Sequence, residues 1–390
     1  MNKIKIFCLL SSIFFSNFSI AAPDEESYGK LKGYPPGFSM GSDYSKHFRV
    51  GGFSGKQLEK PGTEKTKIQA SDKPIQVERE NKIKWTSDIN PDELIASNPI
   101  MALILIKDNK IVFESFQYDT GLNSTFNSES IAKTLTALVI GTLLDEGKIR
   151  SLSDRVDFYI PEFKEIPFGK NSIKNLLQMR CGLTDISAGP TGGRYANIKY
   201  GPTGGRGPAA LNLYDYMQTT TTSMFIGFQY AYDPRCTDVL SMIISKVTGK
   251  LLAEVFEERI WNKIGAEYPA YWAKATNTDI TSGANQFWAK PSDWAKVANL
   301  MVNKGSYNGQ QIISEAYVSA MTKDVVSRDS SGSYGYQTFT SRFDTSAWAN
   351  GYLGQRIYFD STTKSAMIVF AVDEHESKTH SFWNKFRVMK

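Results

Sequence analysis

Residues 126–148 read FNSESIAKTLTALVIGTLLDEGK, and from Ile131 to Leu144 the only charge is Lys133. In the helix this pattern predicts, Leu135, Leu138, Val139, Leu143 and Leu144 cover one side, while Ala137, Ile140 and Gly141 make the other side apolar too. A helix that is apolar all round is buried, so the rest of the chain has to pack around it. Lys133 follows Ser130 by three residues, a spacing that puts hydroxyl and amine on one helix face within hydrogen-bonding reach. Burial disfavours an ammonium, and the positive end of the helix dipole pushes the same way. Both effects drive the lysine toward a neutral amine able to take the proton of Ser130, which is nucleophile activation by an adjacent base. The spacing leaves a second reading open, in which Ser128 or Ser130 caps the helix and Lys133 snorkels to solvent.

Ser-x-x-Lys occurs three times, at Ser27–Lys30, Ser130–Lys133 and Ser361–Lys364. The first lies in a polar stretch and the third in a predicted hairpin turn; only the middle one opens a helix. Downstream, FQYAYDPRCTDVLSMIISKVTG places Tyr230 in a short loop before an amphipathic helix, where a tyrosine could relay a proton to a leaving group. A Ser-His-Asp triad has little to stand on, because His375 and His380 sit in the polar run DEHESKTH and no G-x-S-x-G occurs. The three histidines form no H-E-x-x-H, so no metal site is expected, and hydrolysis through an activated serine needs no cofactor.

Strands PIMALILI and IVFESF, joined by DNK, predict one hairpin, and QRIYF and SAMIVFAV, joined by DSTTK, a second. Between them helical patterns run over 130–146, 172–179, 237–248, 252–261 and 291–303. The expected fold is α+β: one antiparallel sheet built from the N- and C-terminal strands, flanked by helices, with a mostly helical lobe at roughly 150–300. Residues 22–85 read as an irregular N-terminal arm, and 86–390 as the folded domain. GPTGGR occurs at 189–194 and again at 201–206. No G-K-[ST] follows it, so the 187–210 stretch reads as a long lid or binding loop rather than a phosphate cradle.

The first residues, MNKIKIFCLLSSIFFSNFSIAA, have the basic start, apolar middle and small-residue end of a secretory signal, with cleavage expected after Ala21. A periplasmic or secreted protein without stable membrane insertion follows, against the alternative of an uncleaved anchor. The net charge is +5, of which Lys3 and Lys5 belong to the signal, and no basic block or aromatic-laced stripe points to nucleic acid. Cys181 and Cys236 are then the cysteines left, either paired in an oxidising compartment or two separate buried thiols.

In this order SESIAKT, DEGKIRSLSDRVDFYIPEF, IKNLLQMRCGLTD, FQYAYDPRCTDVLSMIISKVTG, PSDWAKVANLMVNKGSYNGQQIIS and NGYLGQRIYFD resemble serine β-lactamase-like hydrolases of the class C type. These include penicillin-binding-protein-like esterases and 6-aminohexanoate-dimer hydrolase. The resemblance implies a β-lactamase/transpeptidase-like fold, with Ser130 as acylated nucleophile, Lys133 as its base partner and Tyr230 as the second-motif tyrosine. It also implies an oxyanion hole formed by the backbone N–H groups of Ser130 and of Tyr352, just after Gly351. Three departures matter. Tyr232 stands where the family usually carries Asn, Cys181 replaces the Ser of L-L-x-M-x-S-G-L, and the Lys/His-Thr-Gly motif falls on Ala349, Asn350 and Gly351, with its cation lost. The G-Y-L-G-Q context is closer to the 6-aminohexanoate-dimer-hydrolase branch. The expectation is an exported hydrolase of small amides or esters, with a β-lactamase or D,D-peptidase, and a non-catalytic binding protein on the same scaffold, as alternatives.

Overall fold

The computed structural model describes residues 64–117, 120–182, 225–275, 278–330, 332–371 and 376–389, together with Leu213 and Met217. The segment expected to direct export, the 187–210 stretch with its repeat, and His375 lie outside them.

The central layer is an eight-stranded antiparallel sheet. In chain order its strands are β2 (Ile100–Lys107), β3 (Lys110–Phe116), β7 (Val326–Ser327), β8 (Gly332–Tyr334), β9 (Phe339–Ser341), β10 (Ala347–Gly351), β11 (Gln355–Asp360) and β12 (Ser365–Ala371). Their spatial order is β3-β2-β12-β11-β10-β9-β8-β7. The two hairpins expected from the sequence therefore meet within the sheet, with β2 paired to β12. β7–β10 lengthen the sheet beyond those hairpins; they are short and their sequence alternation is weak.

β2 is buried along Ile100–Ile106 because both faces of the sheet are covered. Ala102, Ile104 and Ile106 face the main core. Ile100, Leu103 and Leu105 face a second core closed by Phe382, Trp383 and Phe386 of a C-terminal helix, Glu376–Phe386. On the main-core side lies α2 (Ala132–Asp145), buried from Ala132 to Leu143. Each of its large aliphatic side chains contributes about 1.5–3 kcal/mol by leaving water. The ordered predecessor of α2 is α1 (Pro91–Ala96), capped by Asn90 through the N–H groups of Asp92 and Glu93.

The helical lobe includes α3 (Ile173–Leu177) and α4 (Pro234–Thr248). α4 has its limits written in sequence: Asp233 caps its N-terminus, Pro234 follows, and Gly249 ends it in a left-handed conformation at φ 69°. α5 (Leu252–Phe256) runs on into a π-helical turn, Glu257–Trp261, and α6 (Pro291–Val302) packs beneath the sheet. The N-terminal arm is not irregular throughout. Lys65–Ile68 form β1, which pairs with β5 (Ala270–Ala273); with β6 (Phe287–Ala289) and β4 (Phe126–Asn127) they make a second sheet in the order β1-β5-β6-β4. The alternation in KTKI is too short to be seen among the surrounding Lys, Gly and Pro.

Candidate active site

β4 leads directly into the nucleophile turn. Ser128 is locked to β6 by two bonds: its N–H donates to Phe287 O (2.7 Å) and its Oγ accepts from Phe287 N (3.0 Å); that Oγ also donates to Glu129 O (2.8 Å) in the turn itself. Neither Ser128 nor Ser130 caps the helix by its side chain. The chain then turns through Glu129 at φ 43°, a left-handed conformation worth about 1–2 kcal/mol of strain for a side chain of this kind. A 3-10 turn, Glu129–Ile131, carries Ser130 into α2.

Lys133 is 2 % exposed, so it does not snorkel. Its Nζ donates to Ser130 Oγ at 2.8 Å and to Ala284 O at 2.7 Å, and lies 5.0 Å from the centre of the Tyr232 ring. Burial pushes its pKa from the usual lysine range down to about 7, against the attraction of Asp238, Glu129 and Asp233, none of which forms an ion pair with it. A large fraction of Lys133 is therefore a neutral amine near neutrality, in contact with the hydroxyl it would deprotonate.

The 281–284 segment behind Lys133 is pinned from two helices. Thr136 Oγ1 donates to Gly283 O at 2.8 Å, and Ser241 Oγ donates to Thr281 O at 2.8 Å. Asp238 Oδ1 accepts from Ala284 N at 3.2 Å. The Ala284 peptide is thus held by a carboxylate on its N–H and by the amine on its carbonyl. Sequence reasoning missed Asp238 and this loop. The available signal was an acid in the second turn of α4, on the side that continues into Ser241 and Met242 and is buried throughout.

Tyr232 reaches Lys133, and Tyr230 precedes it by two residues, on a segment laced to the end of α3. Ala231 N donates to Met179 O (2.8 Å), Gly227 N to Arg180 O (2.8 Å), and Arg180 Nη1 to Gly227 O (2.9 Å). A disulfide joins Cys181 to Cys236, with Cα atoms 6.5 Å apart, across the same seam. The Tyr230 ring packs on Tyr334 with centroids 5.1 Å apart, and Tyr232 meets Tyr334 at 6.4 Å and Phe339 at 6.3 Å. The aromatic cluster thereby ties both tyrosines to the sheet. Where the resemblance expects an amide, Tyr232 offers Lys133 a ring face.

β10 supplies the opposite wall. A Cβ added to Gly351 would lie 2.5 Å from Ser128 O and 3.1 Å from Glu129 Cβ, so only glycine lets the strand end lie against the nucleophile turn. Tyr352 follows, 63 % exposed, opening a 3-10 turn. Gln355, also missed from sequence, braces that turn: its Nε2 donates to Tyr352 O (3.1 Å) and Ala371 O (2.7 Å). Ala349 is buried in the main core, and the half-buried Asn350 has a side-chain oxygen without a hydrogen-bond partner. Among the described residues, no group of three or more His, Cys, Asp or Glu could hold a metal ion, and no helix is long and apolar enough to cross a membrane.

The family model described as Beta-lactamase matches residues 92–388. The chain belongs to that family. It is 23 % identical over 290 residues to a 6-aminohexanoate-dimer hydrolase of Paenarthrobacter ureafaciens, covering 68 % of this chain and 71 % of that protein. A D-alanyl-D-alanine-carboxypeptidase/endopeptidase, AmpH of Escherichia coli strain K12, is 24 % identical over 178 residues, covering 44 % of this chain and 45 % of that one. Among solved structures, a protein of Bacillus anthracis provisionally named 6-aminohexanoate-dimer hydrolase superposes with a TM-score of 0.74 at 22 % identity, covering 90 % of this chain and 94 % of that one. The mixed fold with its antiparallel sheets is thus the β-lactamase and penicillin-binding-protein fold, and the named relatives are hydrolases.

Proposed function

We propose that the chain is an exported serine hydrolase that cleaves a small amide or ester through an acyl-enzyme on Ser130. The observation that carries this is the 2.8 Å contact between Ser130 Oγ and a buried Lys133 whose pKa lies near 7. In acylation the Ser130 proton passes to Lys133 Nζ as Oγ bonds to the substrate carbonyl carbon. The carbonyl oxygen, now an anion, takes hydrogen bonds from the N–H groups of Ser130 and Tyr352, each worth about 3–4 kcal/mol in the transition state. As the C–N or C–O bond breaks, the proton taken by Lys133 passes through Tyr230 to the leaving group, and the amine is neutral again. Water then attacks the ester carbonyl carbon and gives its proton to Lys133, which passes it to Ser130 Oγ as the acyl–Oγ bond breaks and the acid departs. The layout of residues 1–22 supports export.

A second reading, a β-lactamase or D,D-peptidase, is favoured by the likeness to the carboxypeptidase AmpH. The buried Ala349, in place of the cation that would take a substrate carboxylate, counts against it. The test is labelling by a fluorophosphonate, followed by turnover of p-nitrophenyl esters, short linear amides and nitrocefin. Wild type labels and the S130A variant does not; equal labelling of both removes Ser130 as nucleophile. Nitrocefin cleavage in preference to the other substrates selects the second reading. A ligand bound without Ser130-dependent turnover would leave a binding protein on this scaffold.

A further inference from the structure

Glu129 precedes the nucleophile and has no part in the chemistry above. It is half-buried, and its Oε1 accepts a single hydrogen bond, from Asn127 Nδ2 at 3.0 Å. Its N–H donates to Asn127 Oδ1 at 3.1 Å, which fixes the turn and leaves the second carboxylate oxygen uncommitted. Among the described residues no cation pairs with it; Lys133 acts on it only through space. The carboxylate stands there against burial, which pushes its pKa up to about 7, and on a backbone turned to φ 43°. Apart from the weak pull of the helix dipole on an acid in the first turn, nothing in the turn or the helix requires a carboxylate: no capping bond from Glu129 is made, and a neutral side chain could accept the same Asn127 bond.

The location gives the carboxylate a use. Glu129 Cβ borders Gly351, at the seam between the Ser130 turn and the end of β10, where the attacked carbonyl is held in the acyl-enzyme reading. On the same strand the cation of carboxylate-recognising relatives is replaced by Ala349, buried in the core. The charge beside the nucleophile is therefore that of an acid, Glu129, without a cation at Ala349. A half-buried carboxylate with free acceptor capacity binds an ammonium far better than it tolerates a second carboxylate.

We propose that Glu129 is a specificity-determining residue that receives an ammonium group of the substrate beside the scissile bond, so that the site selects cationic amides or esters over anionic ones. The proposal rests on Ser130 being the nucleophile, and the experiment separates the two. Two fluorophosphonates of equal alkyl length, one ending in a primary ammonium and one in methyl, are compared by their second-order labelling rates. Wild type labels the ammonium probe about 5- to 10-fold faster at low ionic strength, and this preference shrinks in about 0.5 M salt. In E129Q the two rates become equal, mainly through loss of the ammonium rate, and E129D keeps an intermediate preference. The methyl-terminated rate monitors the integrity of the site in each variant, and the salt dependence of wild type needs no variant at all. A wild-type preference that is absent or indifferent to salt overturns the proposal. So does an E129Q variant that melts like wild type yet keeps the preference, or loses both rates in equal measure, the result expected if Glu129 only tunes Lys133. If neither probe labels wild type, the Ser130 reading fails and takes this proposal with it.

Discussion

Lys133 and Lys296 are near-duplicates in sequence and opposites in chemistry. Each sits near the N-terminal end of a buried helix, three residues after an oxygen-bearing side chain, Ser130 in one case and Asp293 in the other. Each donates to a distant backbone carbonyl, Ala284 O at 2.7 Å and Gly265 O at 2.8 Å. Lys296 is fully buried, but Asp293 Oδ1 lies 2.9 Å and Glu267 Oε1 3.0 Å from its Nζ. Asp293 in turn accepts from the N–H groups of Glu267 and Tyr268, at 2.8 and 3.0 Å. Lys133 has a hydroxyl, a carbonyl and a ring face instead of carboxylates. Burial alone does not make a lysine a base. What distinguishes the candidate base is that its counter-charges are held at a distance, so desolvation prevails over Coulomb attraction.

Replacing each lysine by methionine breaks the pair in opposite directions. Lys296→Met leaves two carboxylates buried without their cation and destabilises the fold by about 3–5 kcal/mol, read as a fall in the denaturation midpoint, while protein that stays folded keeps its catalytic rate. Lys133→Met lowers kcat by about 10³-fold and leaves the fold as stable or up to about 1–3 kcal/mol more stable at neutral pH. The sign follows from linkage. With a folded pKa of about 7 and an unfolded one near the ordinary lysine value, the unfolded chain binds more protons between the two, so stability rises with pH across that window. The gain of Lys133→Met over wild type therefore shrinks as pH climbs toward about 10. A catalytic loss in Lys296→Met at unchanged stability would undo the contrast.

The neighbouring strand gives the next largest effect. Gly351→Ala puts a methyl 2.5 Å from Ser128 O, which accepts from Ile131 N in a turn whose Ser128 N–H is fixed to β6, so β10 has to move away from the nucleophile turn. Activity falls by about 10²- to 10³-fold, with fluorophosphonate labelling slowed in parallel and the melting temperature little changed. Unaltered labelling in this variant would remove the end of β10 from the oxyanion site.

Much of this was legible in sequence, for identifiable reasons. The helix from 132 to 145, the two hairpins and α4 announce themselves by apolar periodicity and by Asp233, Pro234 and Gly249 at the ends of α4. The Ser130–Lys133 contact follows from i,i+3 geometry, which is local. What was not legible is non-local. β1 is a four-residue strand whose partner lies some 200 positions away, and nothing in KTKI announces it. Asp238 and Gln355 act through the Ala284 and Tyr352 peptides, bonds that exist only once separate elements are assembled. A residue such as Glu129, in a left-handed conformation that side chains seldom adopt, carries no mark in the one-letter code.

Activity should also depend on pH with a definite sense. Since the base form of Lys133 is the neutral amine, kcat/KM rises with pH through an apparent value of about 7 and levels off above it. A profile flat from pH 5 to 9 would mean that Lys133 does not titrate in the rate-limiting step.

The smallest expected effect tests whether the distant charges matter at all. Asp238 is the leading attraction that favours the charged form of Lys133, yet it touches the Ala284 peptide rather than the amine. Asp238→Asn keeps an oxygen for Ala284 N and removes only the charge. With less attraction to hold its proton, Lys133 becomes a weaker base of lower pKa, and the acid limb of the kcat/KM profile moves down by about 0.5–1 pH unit. Because the amine is then neutral over a wider range, activity near pH 6 rises while the plateau changes little. Removing a charge from the other cluster, by Glu267→Gln beside Lys296, leaves that limb in place. A limb that stays put in Asp238→Asn would reduce Asp238 to a holder of the Ala284 peptide that exerts no pull on the Lys133 proton.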